Sequence, residues 1–129
     1  MTIPRILIAD DDPISLIFTK NLLEDRGYEV VTAEDGEGAL ETIRRVKPDL
    51  FVTDVLMPYR NGLEIIREMK NDPALWHIPV LVVSMKDREM DIVQGLEQGA
   101  DDYIVKPVNA LELAARVKKI LARRPVKRS

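Results

Sequence analysis

The sequence predicts an open α/β fold, a doubly wound parallel sheet with helices on both faces, and three observations carry that expectation. Short apolar runs alternate with longer stretches of helical period along the 129 residues, the signature of successive strand–helix units. The runs are nearly continuous in apolar residues, as in Ile6-Leu7-Ile8-Ala9 and Val80-Leu81-Val82-Val83, which is how strands buried on both faces read. Four of the runs stop on a polar residue: Asp10, Asp54, Ser84 and Lys106. Ligands in open α/β sheets sit at the carboxyl ends of the strands, and right-handed crossovers bring those ends to one edge.

The first strand is expected over Arg5–Ala9. Asp12 caps the following helix and Pro13 takes its first position, where a missing N–H costs nothing. Ile14, Ile17, Phe18 and Leu22 are spaced for one apolar face, and Gly27 stands where a helix ends. The second strand is Glu29–Ala33. A helix over 38–46 turns Ala39, Leu40 and Ile43 to one side. Pro48 stops it, and Leu50–Thr53 is the third strand. Asn61-Gly62 opens a helix with Leu63, Ile66 and Met69 facing inward, closed by Asn71-Asp72-Pro73. The fourth strand runs over 79–84. The helix after Asp87 is expected to bury Met90, Val93 and Leu96 and to end near Gly99. The fifth strand is Asp102–Val105. Asn109 caps the last helix, whose stripe is Leu113, Val117, Ile120 and Leu121.

Length gives one domain with a sizeable core. Residues 1–124 are expected to form it, with 125–129 a basic tail or linker stub. The net charge of −3 is too mild to draw the chain to nucleic acid or membrane. With no cysteine and one histidine, disulfides, thiolate catalysis and Cys- or His-rich metal sites are excluded. No apolar stretch approaches the ~18–20 residues that span a bilayer. Met1-Thr2-Ile3-Pro4-Arg5 does not read as a secretory signal, so a cytoplasmic location is expected.

The polar strand ends suggest phosphate chemistry. Asp10, Asp11 and Asp54 would gather three carboxylates, and each like-charge pair at ~4–6 Å costs about 3–4 kcal/mol at an effective dielectric near 20. A divalent cation relieves that repulsion, and an all-oxygen set with few protein donors suits Mg²⁺. Lys106 is a point charge suited to a phosphoryl oxygen, and the Ser84 hydroxyl can donate to another. Asp54, alone at the end of the third strand, is the candidate nucleophile. Lys106 and the metal would offset charge in the transition state.

These residues resemble the receiver domain of two-component response regulators, the CheY-like superfamily. Ile6-Leu7-Ile8-Ala9-Asp10-Asp11-Asp12-Pro13 is similar to that family's first strand and acidic pair. Asp54-Val55-Leu56-Met57-Pro58 with Gly62 is similar to its phosphoacceptor segment, Ser84 to its switch hydroxyl, and Gly99-Ala100-Asp101-Asp102-Tyr103-Ile104-Val105-Lys106-Pro107 to its fifth strand with switch aromatic and lysine. The resemblance implies a flavodoxin-like (βα)5 sheet with strand order 2-1-3-4-5. It implies Asp54 as phosphoacceptor, and Mg²⁺ on Asp11, Asp54 and the Leu56 carbonyl with Asp10 assisting. Ser84 and Lys106 join Asp54 in the catalytic set, and Lys106–Pro107 is expected to be cis. The phosphoryl donor would be a sensor histidine kinase or a histidine phosphotransfer protein. On phosphorylation Ser84 would move toward the phosphoryl group and Tyr103 would turn inward. The face formed by the fourth helix, fifth strand and fifth helix would then change its preference for an output domain or protein, whose identity is unknown.

The chain departs from the family pattern at several positions. Met85 follows Ser84 where the family mostly has a small residue, and Val108 replaces a common aromatic. Leu56 and Lys86 occupy positions that tune dephosphorylation, and Leu56 cannot orient a water, so slow autodephosphorylation is expected. Arg60-Asn61 replaces an apolar-acidic pair. Gly99-Ala100-Asp101-Asp102-Tyr103, with Glu112 and Arg116, resembles receivers that pair through the fourth and fifth helices. Ile92 and Gln94 stand where basic partners would be expected, so only a weak homodimer is anticipated. The rival readings are a small aspartyl-nucleophile phosphohydrolase, which would leave Asp54 without a role, and a receiver-like binding module that does not use phosphate. A flavin or dinucleotide domain would need a phosphate loop that is missing here.

Overall fold

The protein is described from a computed structural model over residues 3–123; the expected tail at 125–129 lies outside the described residues. Ten elements alternate: β1 (Arg5–Ala9), α1 (Pro13–Asp25), β2 (Glu29–Ala33), α2 (Gly36–Val46), β3 (Leu50–Thr53), α3 (Gly62–Lys70), β4 (Val80–Ser84), α4 (Glu89–Gln98), β5 (Asp102–Val105) and α5 (Ala110–Arg123). The five strands form one sheet in the order β2-β1-β3-β4-β5, and every neighbouring pair is parallel.

Side chains alternate across the sheet and build two cores. Leu7, Ala9, Phe51, Val80 and Val82 face one side, where Leu40, Ile43, Ile65, Ile66 and Met69 of α2 and α3 cover them. Ile6, Ile8, Leu50, Val52, Leu81 and Val83 face the other, beneath Leu16 and Leu23 of α1 and Leu113, Val117 and Ile120 of α5. Both faces of the central strands are dry, so those strands have no polar face to alternate with. The ends of the elements follow local chemistry. Asp12 accepts from Ile14 N with Pro13 at the first helical position. Gly27 takes a φ of +94°, which non-glycine residues adopt only at a cost.

Several expectations on packing are corrected. In α1, Ile14 and Ile17 are 81% and 56% exposed and Phe18 is also exposed. Leu16, Thr19 and Leu23 are buried instead. Apolar residues surround much of this helix, so periodicity does not select a face. In α4, Met90, Val93 and Leu96 are all exposed, while Gly95 is the buried residue and Ile92 packs on the core. Glycine adds nothing to an apolar stripe, but it lets a helix come closer to its neighbour. In α3, Ile65 joins Ile66 and Met69 in the core while Leu63 packs at its edge. Helix α2 starts two residues early, at Gly36, because Asp35 caps it by accepting from Gly38 N at 2.7 Å. Strand β4 starts at Val80 rather than at residue 79.

Candidate functional site

The strand ladders run one residue past β1, β3 and β5 and thereby set the site. Asp10 N donates to Ala33 O at 3.1 Å, Asp54 N to Ala9 O at 3.0 Å, and Lys106 N to Ser84 O at 2.8 Å. Asp10 and Asp54 are thus fixed side by side at the carboxyl edge of the two central strands, and both are buried. Lys106 reaches across from the end of β5, beyond β4 in the sheet. Its Nζ lies 2.9 Å from Asp10 Oδ2 and 2.9 Å from Asp54 Oδ2. Burial works against the ammonium, but hydrogen bonds and charge pairing with Asp54 and Asp10 outweigh it and raise its pKa above the ordinary lysine value. The Lys106–Pro107 peptide bond is cis, as expected.

The loop after β3 wraps the other side of Asp54. Val55 N donates to Asp54 Oδ1 at 2.6 Å, and Leu56 N reaches the same oxygen at 3.4 Å. Thr53 Oγ1 donates to the Asp54 carbonyl at 2.8 Å, and Gly62 N closes the loop onto Val55 O at 2.8 Å. A Cβ at position 62 would collide with the Asp54 carbonyl oxygen, so glycine is needed for this close approach. Asn61 and Glu64 form a reciprocal capping box at the start of α3. Arg60 pairs with Glu37 at 3.2 Å and with Glu68, joining the loop to α2 and α3. The departure from the family pattern at Arg60-Asn61 therefore has a structural use: one residue ties the loop down and the other starts the helix.

Asp11 is exposed at the mouth of the site. One carboxylate oxygen from each of Asp10, Asp11 and Asp54 lies within 4.8 Å of the others. Three carboxylates against the single ammonium of Lys106 leave two negative charges uncompensated. An all-oxygen cluster with that residual charge fits a hard divalent cation. Leu56 is on the same turn as Asp54 and is 59% exposed.

Ser84 is buried at the end of β4, and its Oγ accepts from Lys86 N at 3.1 Å. Tyr103 is already turned inward, 8% exposed, with its hydroxyl donating to Lys86 O at 2.8 Å. Burial pushes its phenol pKa up; hydrogen bonding with Ser84 offsets part of that, and the charges of Asp91, Asp54 and Asp87 add to it. Met85 is largely exposed beside the site. On the flank, Arg116 bonds Asp102 at 2.6 Å and Glu112 at 3.0 Å, so the charges considered for dimer pairing are paired within the chain. Of the site residues expected from sequence, Asp10, Asp54 and Lys106 are in direct contact, with Asp11 beside them. Thr53 and Gly95 carry no mark of the site in the sequence, and the close approach at Gly62, a residue read there only as part of the phosphoacceptor segment and helix start, is made only in three dimensions.

A family model described as the response regulator receiver domain matches residues 6–118. The chain belongs to that family. The match includes every one of these site residues. The receiver is 43% identical over 119 residues to the alkaline phosphatase synthesis transcriptional regulatory protein PhoP of Bacillus subtilis, covering 92% of this chain and 49% of that protein. It thus spans about half the length of that relative. The Francisella response regulator 1452 receiver domain superposes with a TM-score of 0.88 at 33% identity, covering 95% of this chain and 99% of the other. The chemotaxis response regulator CheY4 of Vibrio cholerae does so at 0.86 and 28%, covering 92% and 99%. Receivers are generally regulatory switches in two-component signalling; they bind Mg²⁺ through acidic residues and take phosphoryl groups from histidine kinases. No helix among the described residues is long and apolar enough to cross a membrane.

Proposed function

We propose that this receiver accepts a phosphoryl group on Asp54 from a phosphohistidine of a sensor kinase or phosphotransfer protein, in a Mg²⁺-dependent step, and so switches the α4–β5–α5 face toward an output partner. The observation that carries this reading is the Lys106 ammonium bonded at 2.9 Å to both Asp10 and Asp54, facing the three-carboxylate cluster. Asp54 attacks through a carboxylate oxygen. The new O–P bond forms as the N–P bond of the phosphohistidine breaks, and its electron pair returns to the imidazole. Asp54 Oδ1 is held by the amides of Val55 and Leu56, which fixes the carboxylate plane for in-line attack. Lys106 exchanges its bond to Asp54 Oδ2 for a phosphoryl oxygen and stabilises charge there. Asp10, Asp11 and Asp54, with the Leu56 carbonyl, would hold Mg²⁺, which would supply further charge neutralisation on the phosphoryl oxygens. Ser84 turns its hydroxyl to the phosphoryl group, with Tyr103, already inward, as the switch aromatic beside it. In this reading residues 1–124 would make up the receiver, with 125–129 a basic tail or linker stub. Incubation with Mg²⁺ and acetyl phosphate, read by intact mass, tests this. Wild type gains one phosphoryl group and Asp54→Ala none; an unmodified wild type, or a modified Asp54→Ala, refutes the assignment. Multiple turnovers on a generic phosphate ester would favour the phosphohydrolase instead.

A further inference from the structure

We propose that Gly95 is the positioning residue of the switch: it is a notch in α4 that holds the Tyr103 ring inward, where the ring fixes the turn after Ser84. Helix α4 is otherwise a poor cover for the sheet. Met90, Val93 and Leu96 project to solvent, and Gly95 is its buried position. A glycine inside a helix is unfavourable relative to alanine, so its presence here calls for a reason in packing. A Cβ at this position would lie 3.0 Å from both Cδ2 and Cε2 of Tyr103. The edge of the ring therefore occupies the space that a methyl group would take.

The consequence passes through two hydrogen bonds. The Tyr103 hydroxyl donates to Lys86 O at 2.8 Å, and Lys86 N donates to Ser84 Oγ at 3.1 Å. The turn over residues 84–86 is thus held from the tyrosine side. Lys86 N engages an oxygen lone pair of Ser84 Oγ and so fixes where that hydroxyl sits. A methyl at position 95 forces the ring back. The ring must give by a few tenths of an ångström, which stretches the 2.8 Å bond toward the ~3.2 Å limit of good geometry. The clamp on Lys86 then loosens, and the arrangement of Ser84 competent for phosphoryl binding becomes a minor state. Gly95 touches neither the carboxylates nor Lys106 and acts only through Tyr103.

The inference rests on the receiver reading only for its kinetic consequence, and the test separates the two. The protein holds three tyrosines. Tyr28→Phe and Tyr59→Phe leave Tyr103 as a single 3-fluorotyrosine reporter. In Gly95→Ala the ¹⁹F resonance moves toward that of an exposed tyrosine, and phosphorylation by acetyl phosphate with Mg²⁺ slows about fivefold, as when a competent state falls from the majority to a minority. Helix propensity favours alanine while crowding of the ring opposes it, so the melting temperature shifts by a few degrees at most and unfolding stays cooperative; a partly unfolded protein would lose that cooperativity. Tyr103→Phe also slows phosphorylation, and adding it to Gly95→Ala brings no further loss, since both break one linkage. An unmoved resonance, an unchanged rate, or independent multiplying effects of the two substitutions overturns the proposal. Phosphorylation of Asp54→Ala would refute the acceptor assignment while leaving the fluorine result to decide on Gly95.

Discussion

Replacing Lys106 by methionine should destabilise the protein in a way that magnesium repairs. The Nζ is bonded at 2.9 Å to each of two carboxylates, and the three side chains are only 7–12% exposed. Removing one partner of a buried ion pair typically costs about 3–5 kcal/mol. The Coulomb term agrees: two carboxylates ~5 Å apart at an effective dielectric near 20 repel by roughly 3 kcal/mol once the cation between them is gone. For a domain of this size the melting temperature should fall by roughly 10–20 °C. Urea unfolding followed by circular dichroism, in chelator, measures the deficit. Adding Mg²⁺ should narrow it, because a ligand at a hundredfold excess over its Kd adds about 2.7 kcal/mol to the native state, and the variant site carries one more uncompensated negative charge than the wild type. Adding Asp54→Asn should restore part of the loss by removing one of the repelling charges. A Lys106→Met protein within about 0.5 kcal/mol of wild type in chelator, which is the size of an ordinary surface substitution, would refute the reasoning. So would a deficit that Mg²⁺ leaves untouched.

The same lysine gives a pH dependence. Its pKa in the folded protein is raised, so its stabilisation is fully present below the unfolded value near ~10.4 and is lost as pH rises through the folded value. The stability gap between wild type and Lys106→Met should be flat from neutrality to about pH 10 and shrink above it; a gap that shrinks between pH 7 and 9 contradicts this. Gly62→Ala places a methyl against the Asp54 carbonyl oxygen and should cost about 3 kcal/mol in urea unfolding, at the upper end of overpacking effects, with slower phosphorylation. Arg60→Ala removes ion pairs of a half-exposed side chain and should cost less than about 1 kcal/mol by the same measurement. Leu56→Asn should hydrolyse its acyl phosphate faster than wild type, measured as decay of the phosphorylated mass, since Leu56 offers no group to orient water; a wild-type half-life of seconds would dispose of this account.

Much of the fold could be read along the chain because its signals are local. Asp12-Pro13 and Gly27 bound α1 by capping and backbone preference, and the apolar strands imply burial on both faces, whatever the distant neighbours. The site residues Asp10, Asp54, Ser84 and Lys106 were legible for the same reason, each standing at the end of an apolar run. Which face of a helix turns inward was not so legible. In α1 the apolar residues leave two faces open, and packing on the sheet buries Leu16 and Leu23 rather than Ile14 and Ile17. In α4 the buried residue is Gly95, which has no side chain to register in a hydrophobic pattern.

By itself, the sequence determined that this protein carries acids, a hydroxyl and a lysine at the ends of parallel strands, since residue type and strand period act over a few positions. Only the tertiary structure decided how they meet. It set Lys106 at 2.9 Å from two carboxylates on different strands and tied Tyr103 through Lys86 to Ser84. It also left room at Gly62 and Gly95 for the loop and the ring to pack. These contacts depend on distance and direction between chain segments far apart in sequence, and only packing the two cores on the sheet sets those quantities.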